Sequence, residues 1–479
     1  MKIDRLEKDI LEAFSSVRTK KPLVEQITNY VTINDCANAT LAIGASPVMG
    51  DSFEEAAQMT SISDSLVINF GGIGKESLAT MIKAGKLANE KNIGIVFDPV
   101  GSGATKYRND SVFDFLKEVH PSVIKGNASE ILYLSGENVK TKGVDSELDS
   151  LLAKGAAIKV ADKYRCVCAV TGKVDIITDG RIVVTIENQS DKLAYITGTG
   201  CMIASLCGSF LGATKNPLVS AVCGVASMSL CGEMALEDGI PIGTYRQRLM
   251  DNIFELNAQK VEKYGRINFE HIESKYSMYL VTDEKACLGK AFYCCVEEAL
   301  KGGAKVIQLR EKEMDTGRFY QRALRIKKLC ERYDALFIVN DRIDIALAVD
   351  ADGIHIGQSD MPIEIARKLI GHNKIIGISA KSYEEAKAAQ AKGADYIGMG
   401  AVYSTSTKSD TSIISDEEVE KIIEKIYIPI LAIGGINIEN VDKILKKGVD
   451  GVCIISDILN NDDCKLRTEE VVKIIKDNY

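Results

Sequence analysis

Short apolar runs alternate with amphipathic stretches throughout the second half of the 479-residue chain. The runs are MYLVTD (278–283), VIQLREK (306–312), LFIVND (336–341), GIHIGQ (353–358), IIGISA (375–380), YIGMGAV (396–402), PILAIGGI (429–436) and GVCIISDIL (451–459). Between them lie patterns such as SYEEAKAAQAKG and IENVDKILKKG, whose apolar positions recur at helical spacing. The phrases KGGAKVIQL, KGADYIGM and KGVDGVCI each place a glycine where a helix stops and a strand starts. Eight strand–helix units in about 200 residues predict a (β/α)8 barrel over residues 269–479. An open doubly wound sheet is the alternative, and eight units without a break in the motif favour closure.

The first half, residues 1–268, is also α/β but less regular. Strands are expected at 66–70, 93–98, 122–125, 166–171, 174–178 and 181–186, with long helices from about residue 199. The boundary falls near RINFEHIESKY (266–276), with no long Pro- or Ser-rich linker. Residues 193–214 and 216–232 carry no charge, and only Lys215 separates them. By length they would serve as a membrane hairpin, yet their Gly, Ser and Thr content predicts buried helices instead. NFGGIGKES (69–77) is no P-loop, because Asn69 replaces the first Gly and Glu76 the Ser or Thr. A helix start after a Gly turn is expected there.

Composition narrows the class. The chain is 46% hydrophobic and 26% charged, ordinary for a globular protein. Its net charge of −8 argues against a general nucleic-acid binder and leaves local phosphate sites open. Thirteen cysteines, scattered without paired C-x-x-C spacing, point to a reduced cytoplasmic chain and not to a zinc site. The charged, amphipathic start MKIDRLEKDILEAF has no apolar signal core, so no membrane segment is expected.

On the second apolar run of the barrel, Gln308, Arg310 and Lys312 alternate and share one face. Polar groups on a buried barrel face are costly unless they bind something. Asn340-Asp341 closes the third run, and Asp360 follows the fourth. Two carboxylates at neighbouring strand ends suit a divalent ion that takes further oxygens from a substrate phosphate, the arrangement Mg2+ prefers. Ser379 ends the fifth run, and Ser404-Thr405-Ser406-Thr407-Lys408 follows the sixth. Gly434-Gly435 and Ile455-Ser456 close the last two, where this fold usually grips a phosphate.

The motifs QLREK, ND, GIHIGQSD, GIS, STSTK, AIGGI and ISDI resemble thiamine-phosphate synthases, in order, across essentially all of 276–479. That family joins 4-amino-2-methyl-5-hydroxymethylpyrimidine diphosphate to 4-methyl-5-hydroxyethylthiazole phosphate and releases pyrophosphate. The resemblance implies that Gln308, Leu309, Arg310, Glu311, Lys312, Asn340, Ser379 and Lys408 hold the pyrimidine diphosphate. It gives Mg2+ to Asp341 and Asp360, and the thiazole phosphate to Thr405, Ser406, Thr407, Gly435, Ile455 and Ser456. The benzylic-type C–O bond ionises once Mg2+, Arg310 and Lys408 stabilise the departing charge, and the thiazole nitrogen captures the pyrimidine cation. A tautomerase-like or regulatory ligand-binding barrel is the alternative, against which the intact diphosphate and magnesium residues argue.

In the first half, DPVGSGAT (98–105) puts a carboxylate and a Gly-rich loop at a strand end, and KGNASE (125–130) repeats the strand-to-helix pattern. Alone, N-x-x-E is a helix cap with a first-turn acid. Joined to AVTG (169–172) and TGTGC (197–201), the set resembles ribokinase-like kinases, and among them hydroxyethylthiazole kinases. TNYVT, ANATLAIGASPVM, DPVGSGAT-x-YR, GNASE, TGTGCM and GTYRQRLMD carry that resemblance across 22–255. It implies a ribokinase-like α/β/α fold, ATP as phosphate donor, Mg2+, small-molecule substrates and a trimer with sites between subunits. Met49 and Gly198 are implied in thiazole binding, Asp98 and Glu130 in Mg2+ binding, and Lys125 and Thr171 in ATP binding. The turn 198–200 aims N–H groups at the transferring phosphate. Three positions depart from the family: His is expected at Glu25, Thr at Gly72 and Arg at Lys125, where Lys offers a point charge instead of a planar fork. Cys201 stands where most ribokinase-like kinases place an Asp base, and is implied as the catalytic base, with core packing its alternative. Because the kinase product is a substrate of the barrel, the two resemblances together predict a bifunctional thiamine enzyme.

Overall fold

The computed structural model describes residues 3–50, 52–136, 150–404 and 413–478. Thr405, Ser406, Thr407 and Lys408 lie outside the described residues. The chain divides into two compact units, residues 3–271 and residues 272 onward.

The first unit is built on one nine-stranded open sheet. Its strands are β1 (Leu23–Ile27), β2 (Ser46–Met49), β3 (Ser65–Asn69), β4 (Gly94–Asp98), β5 (Val123–Asn127), β6 (Val167–Thr171), β7 (Asp175–Thr178), β8 (Ile182–Ile186) and β9 (Ile267–His271). The order is β2-β1-β3-β4-β5-β6-β7-β8-β9, parallel through β6 and antiparallel from β6 to β9. The six expected strands correspond to β3 through β8. The runs SLVIN and GIVFD are buried almost throughout, as strands covered on both faces must be.

Three strands had no clear apolar signal. In β1, LVEQI places Glu25 and Gln26 inside, and Gln26 is accepted there because its amide bonds Thr40 and Ser205 at 2.8 and 2.7 Å. The run SPVM forms the edge strand β2, where Pro47 costs no central ladder bond. Strand β9 lies inside the 266–276 stretch and pairs with β8, which carries the first unit to His271.

The charge-free stretches form buried helices Thr199–Thr214 and Pro217–Met234. The second is long and apolar enough to cross a membrane, but 83% of that window is buried inside the protein. Their small residues permit close packing. A Cβ on Gly224 would stand 2.5 Å from Cys207 N, and one on Gly208 would stand 2.3 Å from Val67 Cγ2 on β3. NFGGIGKES forms a strand end, a 3-10 turn at Phe70–Gly72 and a helix, Lys75–Glu90, whose Ser77 hydroxyl accepts from Gly74 N–H at 2.8 Å.

The second unit is a closed barrel of eight parallel strands, one from each expected run. They are β10 (Met278–Val281), β11 (Val306–Leu309), β12 (Leu336–Asn340), β13 (Gly353–Ile356), β14 (Ile375–Ala380), β15 (Tyr396–Gly400), β16 (Ile430–Ile433) and β17 (Gly451–Ile454). Alternate side chains, among them Tyr279, Val306, Ile338, Tyr396 and Leu431, fill the interior as one buried cluster. Gly377 pairs with Tyr396 across β14 and β15, and a Cβ there would stand 2.0 Å from the tyrosine Cζ. The ring therefore occupies the space that glycine leaves.

Two expectations concern stability. Gly224→Val should destabilise the first unit by roughly 1–3 kcal/mol through overpacking against Cys207, read as a lower denaturation midpoint. The second concerns Glu25, which is fully buried with Oε2 accepting from the Thr60 hydroxyl at 2.5 Å and Oε1 without a partner among the described residues. Burial pushes its carboxyl from 4.5 up to about 7, with the Thr60 hydroxyl opposing and Glu55 adding. The folded state thus holds this proton more tightly than the unfolded chain. Its contribution is complete below about pH 4.5 and is lost as pH rises through about 7. Glu25→Gln should flatten that decline, and thermal melts at pH 5 and pH 8 check it.

Candidate active sites

In the first unit, the carboxyl ends of β3, β4 and β5 bring together Asn69, Asp98 and Lys125. Asp98 and Lys125 are both nearly inaccessible, at 2% and 4% exposure, and Lys125 Nζ lies 3.4 Å from Asp98 Oδ2. The same Oδ2 accepts from Asn69 Nδ2 at 2.9 Å. Asp98 Oδ1 is buried and has no hydrogen-bond partner among the described residues. Burial pushes the Asp98 carboxyl up to about 6, with Lys125 opposing and Glu130 adding. Lys125 is raised despite its burial, because Asp98, Glu130 and Cys201 together outweigh desolvation. An orphaned buried carboxylate oxygen is costly unless a cation or donor completes it. The donor set thus fits Mg2+.

Glu130 closes a reciprocal helix cap. Its Oε2 accepts from Asn127 N–H at 2.8 Å, and Asn127 Oδ1 accepts from Glu130 N–H at 2.9 Å. The other oxygen accepts from Gly101 N–H at 2.8 Å, which ties the DPVGSGAT loop to this helix. Thr171 donates from its hydroxyl to Gly126 O at 3.4 Å. Opposite them, Gly198 begins the helix at φ +88°, a conformation that favours glycine. A Cβ on Gly200 would stand 3.1 Å from Lys125 Nζ, so the ammonium faces the Gly-rich turn. Met49 ends β2, half-buried. At Gly72 a Cβ would meet only Asn29 Cβ, at 3.5 Å.

Asn29, in TNYVT, was not singled out by sequence, although it joins the parts. Its Nδ2 donates to Asn69 Oδ1 at 3.0 Å and reaches Cys201 Sγ at 3.5 Å. Two amides therefore link the half-buried Cys201 to Asp98. Arg108, the arginine of the YR motif, clamps the loops by donating to Phe70 O, Val100 O and Gly71 O at 2.5, 2.7 and 3.1 Å. Both residues sat in quoted motifs, but only their partners reveal the roles.

In the barrel, Gln308, Asn340 and Ser379 occupy β11, β12 and β14, with Arg310 and Lys312 just beyond β11. Leu309 alternates to the outside and is buried in the shell between strands and helices. Glu311 also leaves this group, because its carboxylate pairs with Arg322 at 2.6 Å. Asp341 adopts φ +61°, an αL conformation that Asp tolerates, and its N–H donates to His355 O at 2.9 Å. Burial pushes Asp341 up to about 6, reinforced by Asp360, while Lys312 and Arg310 oppose. Asp360 Oδ2 accepts from Gly357 N–H at 2.7 Å.

Among the described residues, no group of three or more His, Cys, Asp or Glu gathers as a metal cage. A carboxylate pair that takes its remaining ligands from phosphate and water fits Mg2+ better than a closed protein site. At the opposite side of the mouth, a cavity of about 400 Å³ is lined by Ser404, Gly435, Asn437, Ser456, Asp457 and Asn460. Gly435, at φ +63°, comes so close to Ser404 O that a Cβ would stand 2.3 Å away. Ile455 immediately precedes Ser456 at the exit of β17. Asn437, Asp457 and Asn460 were not anticipated as lining residues.

The family model for the hydroxyethylthiazole kinase family matches residues 14–259, and that for thiamine monophosphate synthase matches residues 278–458. The thiamine biosynthesis bifunctional protein ThiM/ThiE of Symbiobacterium thermophilum is 34% identical over 93% of this chain and 94% of its own. A thiamine-phosphate synthase of Fusobacterium nucleatum is 53% identical over 41% of this chain and 95% of its own. The solved hydroxyethylthiazole kinase of Pyrococcus horikoshii is 35% identical, with a TM-score of 0.51, over 55% of this chain and all of its own. With both units matched and the bifunctional relative aligned nearly end to end, the chain belongs to the bifunctional hydroxyethylthiazole kinase/thiamine-phosphate synthase family.

Proposed function

We propose that the two activities of this family are carried here by the strand-end groups of each unit. In the first unit Asp98 and Glu130 serve Mg2+, directly or through water, and Lys125 and Thr171 contact ATP. Met49 and Gly198 hold the thiazole. The unpartnered Asp98 Oδ1, beside Lys125 and the Gly-rich turn, is the observation that carries this reading. When bound, Mg2+ neutralises phosphate charge in both units. The N–H groups of residues 198–200 stabilise the transferring phosphate, and Cys201 takes the proton of the substrate alcohol.

In the barrel, Gln308, Arg310, Lys312, Asn340, Ser379 and Lys408 hold the pyrimidine diphosphate, with Asp341 and Asp360 as the Mg2+ ligands. Thr405, Ser406, Thr407, Gly435, Ile455 and Ser456 hold the thiazole phosphate. The cations stabilise the pyrophosphate as its C–O bond breaks, so the protein needs no nucleophile of its own. The half-buried Asp341 carboxyl, raised by burial and by its neighbour Asp360, supports this reading. Leu309 and Glu311 adjoin this group and are read as contributing through their backbone, because the Leu309 side chain lies in the outer shell and the Glu311 carboxylate is paired with Arg322. Cysteine usage supports a reduced, cytoplasmic setting, and the resemblance supports a trimer built through the first unit.

Full-length protein given ATP, the thiazole alcohol and the pyrimidine diphosphate should yield thiamine phosphate and pyrophosphate. Asp341→Ala should slow pyrophosphate release by about 10²–10³-fold while thiazole phosphate still accumulates. Asp98→Ala should slow formation of thiazole phosphate and so starve the barrel, and added thiazole phosphate should restore pyrophosphate release. Accumulation of thiazole phosphate by the unaltered chain, with no pyrophosphate, would contradict the barrel assignment. A positioned base contributes about 10²–10⁴-fold, so Cys201→Ala should retain slow phosphorylation within that range. Cys201→Asp should preserve or raise it. A folded, ATP-binding but inactive Asp variant removes the base role.

A further inference from the structure

A continuous hydrogen-bonded chain crosses the barrel interior. Gln308 Nε2 donates to Tyr279 OH at 2.9 Å, and Tyr279 OH meets Tyr396 OH at 2.8 Å. Tyr396 OH meets His355 Nδ1 at 2.9 Å, and His355 Nε2 meets Ser379 Oγ at 2.9 Å. The five residues come from β11, β10, β15, β13 and β14, so the chain joins opposite walls. Both tyrosines are wholly buried, and burial raises both phenols, which keeps them neutral. The surrounding sequence makes room for the chain. Gly377 admits the Tyr396 ring, and a Cβ on Gly398 would stand 2.9 Å from His355 Cε1. The His355 and Tyr396 rings stack at 5.6 Å between centroids.

A neutral hydroxyl has one hydrogen, so such a chain must run in a single direction. With the Gln308 amide donating at its start, Tyr279 must spend its hydrogen on Tyr396. Tyr396 then spends its own on His355 Nδ1. The imidazole therefore carries its hydrogen on Nε2 and donates it to Ser379 Oγ. The Ser379 hydroxyl hydrogen is left for a ligand at one end, and Gln308 Oε1 takes no bond from the chain at the other. A flipped Gln308 amide would reverse every member. Ser379 would then donate inward to the imidazole.

We propose that the Gln308–Tyr279–Tyr396–His355–Ser379 chain is a positioning relay for the synthase site, presenting Ser379 as a donor and Gln308 Oε1 as an acceptor to the pyrimidine diphosphate. Tyr279, Tyr396 and His355 act through their neighbours and touch no substrate. The relay rests on the proposed reading of the barrel, in which Gln308 and Ser379 bind one substrate. It adds that the two are set together, so that a break anywhere between them affects both.

Nitrogen-15 NMR of the full chain with labelled histidine reads the polarity directly. The sequence has only four histidines, and loss of one signal in His355→Gln assigns the resonance. In the unaltered protein His355 should be protonated on Nε2. Tyr396→Phe, which keeps the ring, should mix the tautomers. Tyr279→Phe and Tyr396→Phe should each lower synthase kcat by up to about tenfold, the worth of one hydrogen bond, with KM for thiazole phosphate unchanged. The double variant should lose little more than either single one, because one break already interrupts the chain. An Nδ1-protonated His355, tautomers indifferent to Tyr396→Phe, or fully additive kinetic losses would overturn the relay. If the unaltered chain releases no pyrophosphate, the barrel reading fails instead, and the tautomer measurement still judges the chain.

Discussion

Parallel pairing is the constraint from which both units follow. A parallel strand reaches its neighbour only through a crossover, so helices cover the sheet and strand interiors become apolar on both sides. Polar side chains are then accepted chiefly where the ladder ends. Asn69, Asp98 and Asn127 close β3, β4 and β5, and Asn340 closes β12. The same rule that fills SLVIN and LFIVN with buried residues gathers amides and carboxylates at one edge. Chemistry collects there because the rest of the strand excludes it.

Burial then decides which charges survive at that edge. Desolvation raises Asp98, whereas Lys125 remains raised through its acidic neighbours. The pocket is therefore biased toward a cation facing the Gly-rich turn, a field suited to a polyphosphate. Lys125 stands where the family resemblance expects Arg, and its surroundings make the exchange intelligible. The missing side chain at Gly200 leaves space for an ammonium 3.1 Å from the Cβ position. A compact point charge uses that gap, while a planar fork would need more room.

The barrel was legible in the sequence because its signal is repeated: eight apolar runs each delimit one strand, and closure makes every strand equivalent. The first unit was legible only where strands are buried among apolar neighbours. Strand β1 escaped because Glu25 and Gln26 break its pattern, and their acceptance depends on Thr60, Thr40 and Ser205 from distant segments. The same limit applies at the sites. Asp98, Glu130, Asp341 and Asp360 stand at motif positions that chemistry makes readable. Asn29, Arg108, Tyr279, Tyr396 and His355 act through partners far away in sequence. Conversely, Leu309 and Glu311 belong to a contiguous motif with Gln308, Arg310 and Lys312, yet strand alternation turns the Leu309 side chain outward and Arg322 holds the Glu311 carboxylate.

Interior polar groups in the two units differ in how completely they are satisfied, and the difference has physical consequences. Each inner member of the barrel chain has partners on both sides, so low dielectric strengthens the bonds and fixes one arrangement. Among the described residues Glu25 has one satisfied oxygen, and its carboxyl rises to about 7 because protonation is cheaper than a buried charge. Asp98 likewise has one unpartnered oxygen, but it lies beside a buried cation and a glycine turn, where an incoming cation and polyanion can complete it. An unsatisfied oxygen therefore has meaning only through its neighbours. Within β1 it makes the fold sensitive to pH, whereas at the end of β4 it leaves a carboxylate oxygen open to a cation.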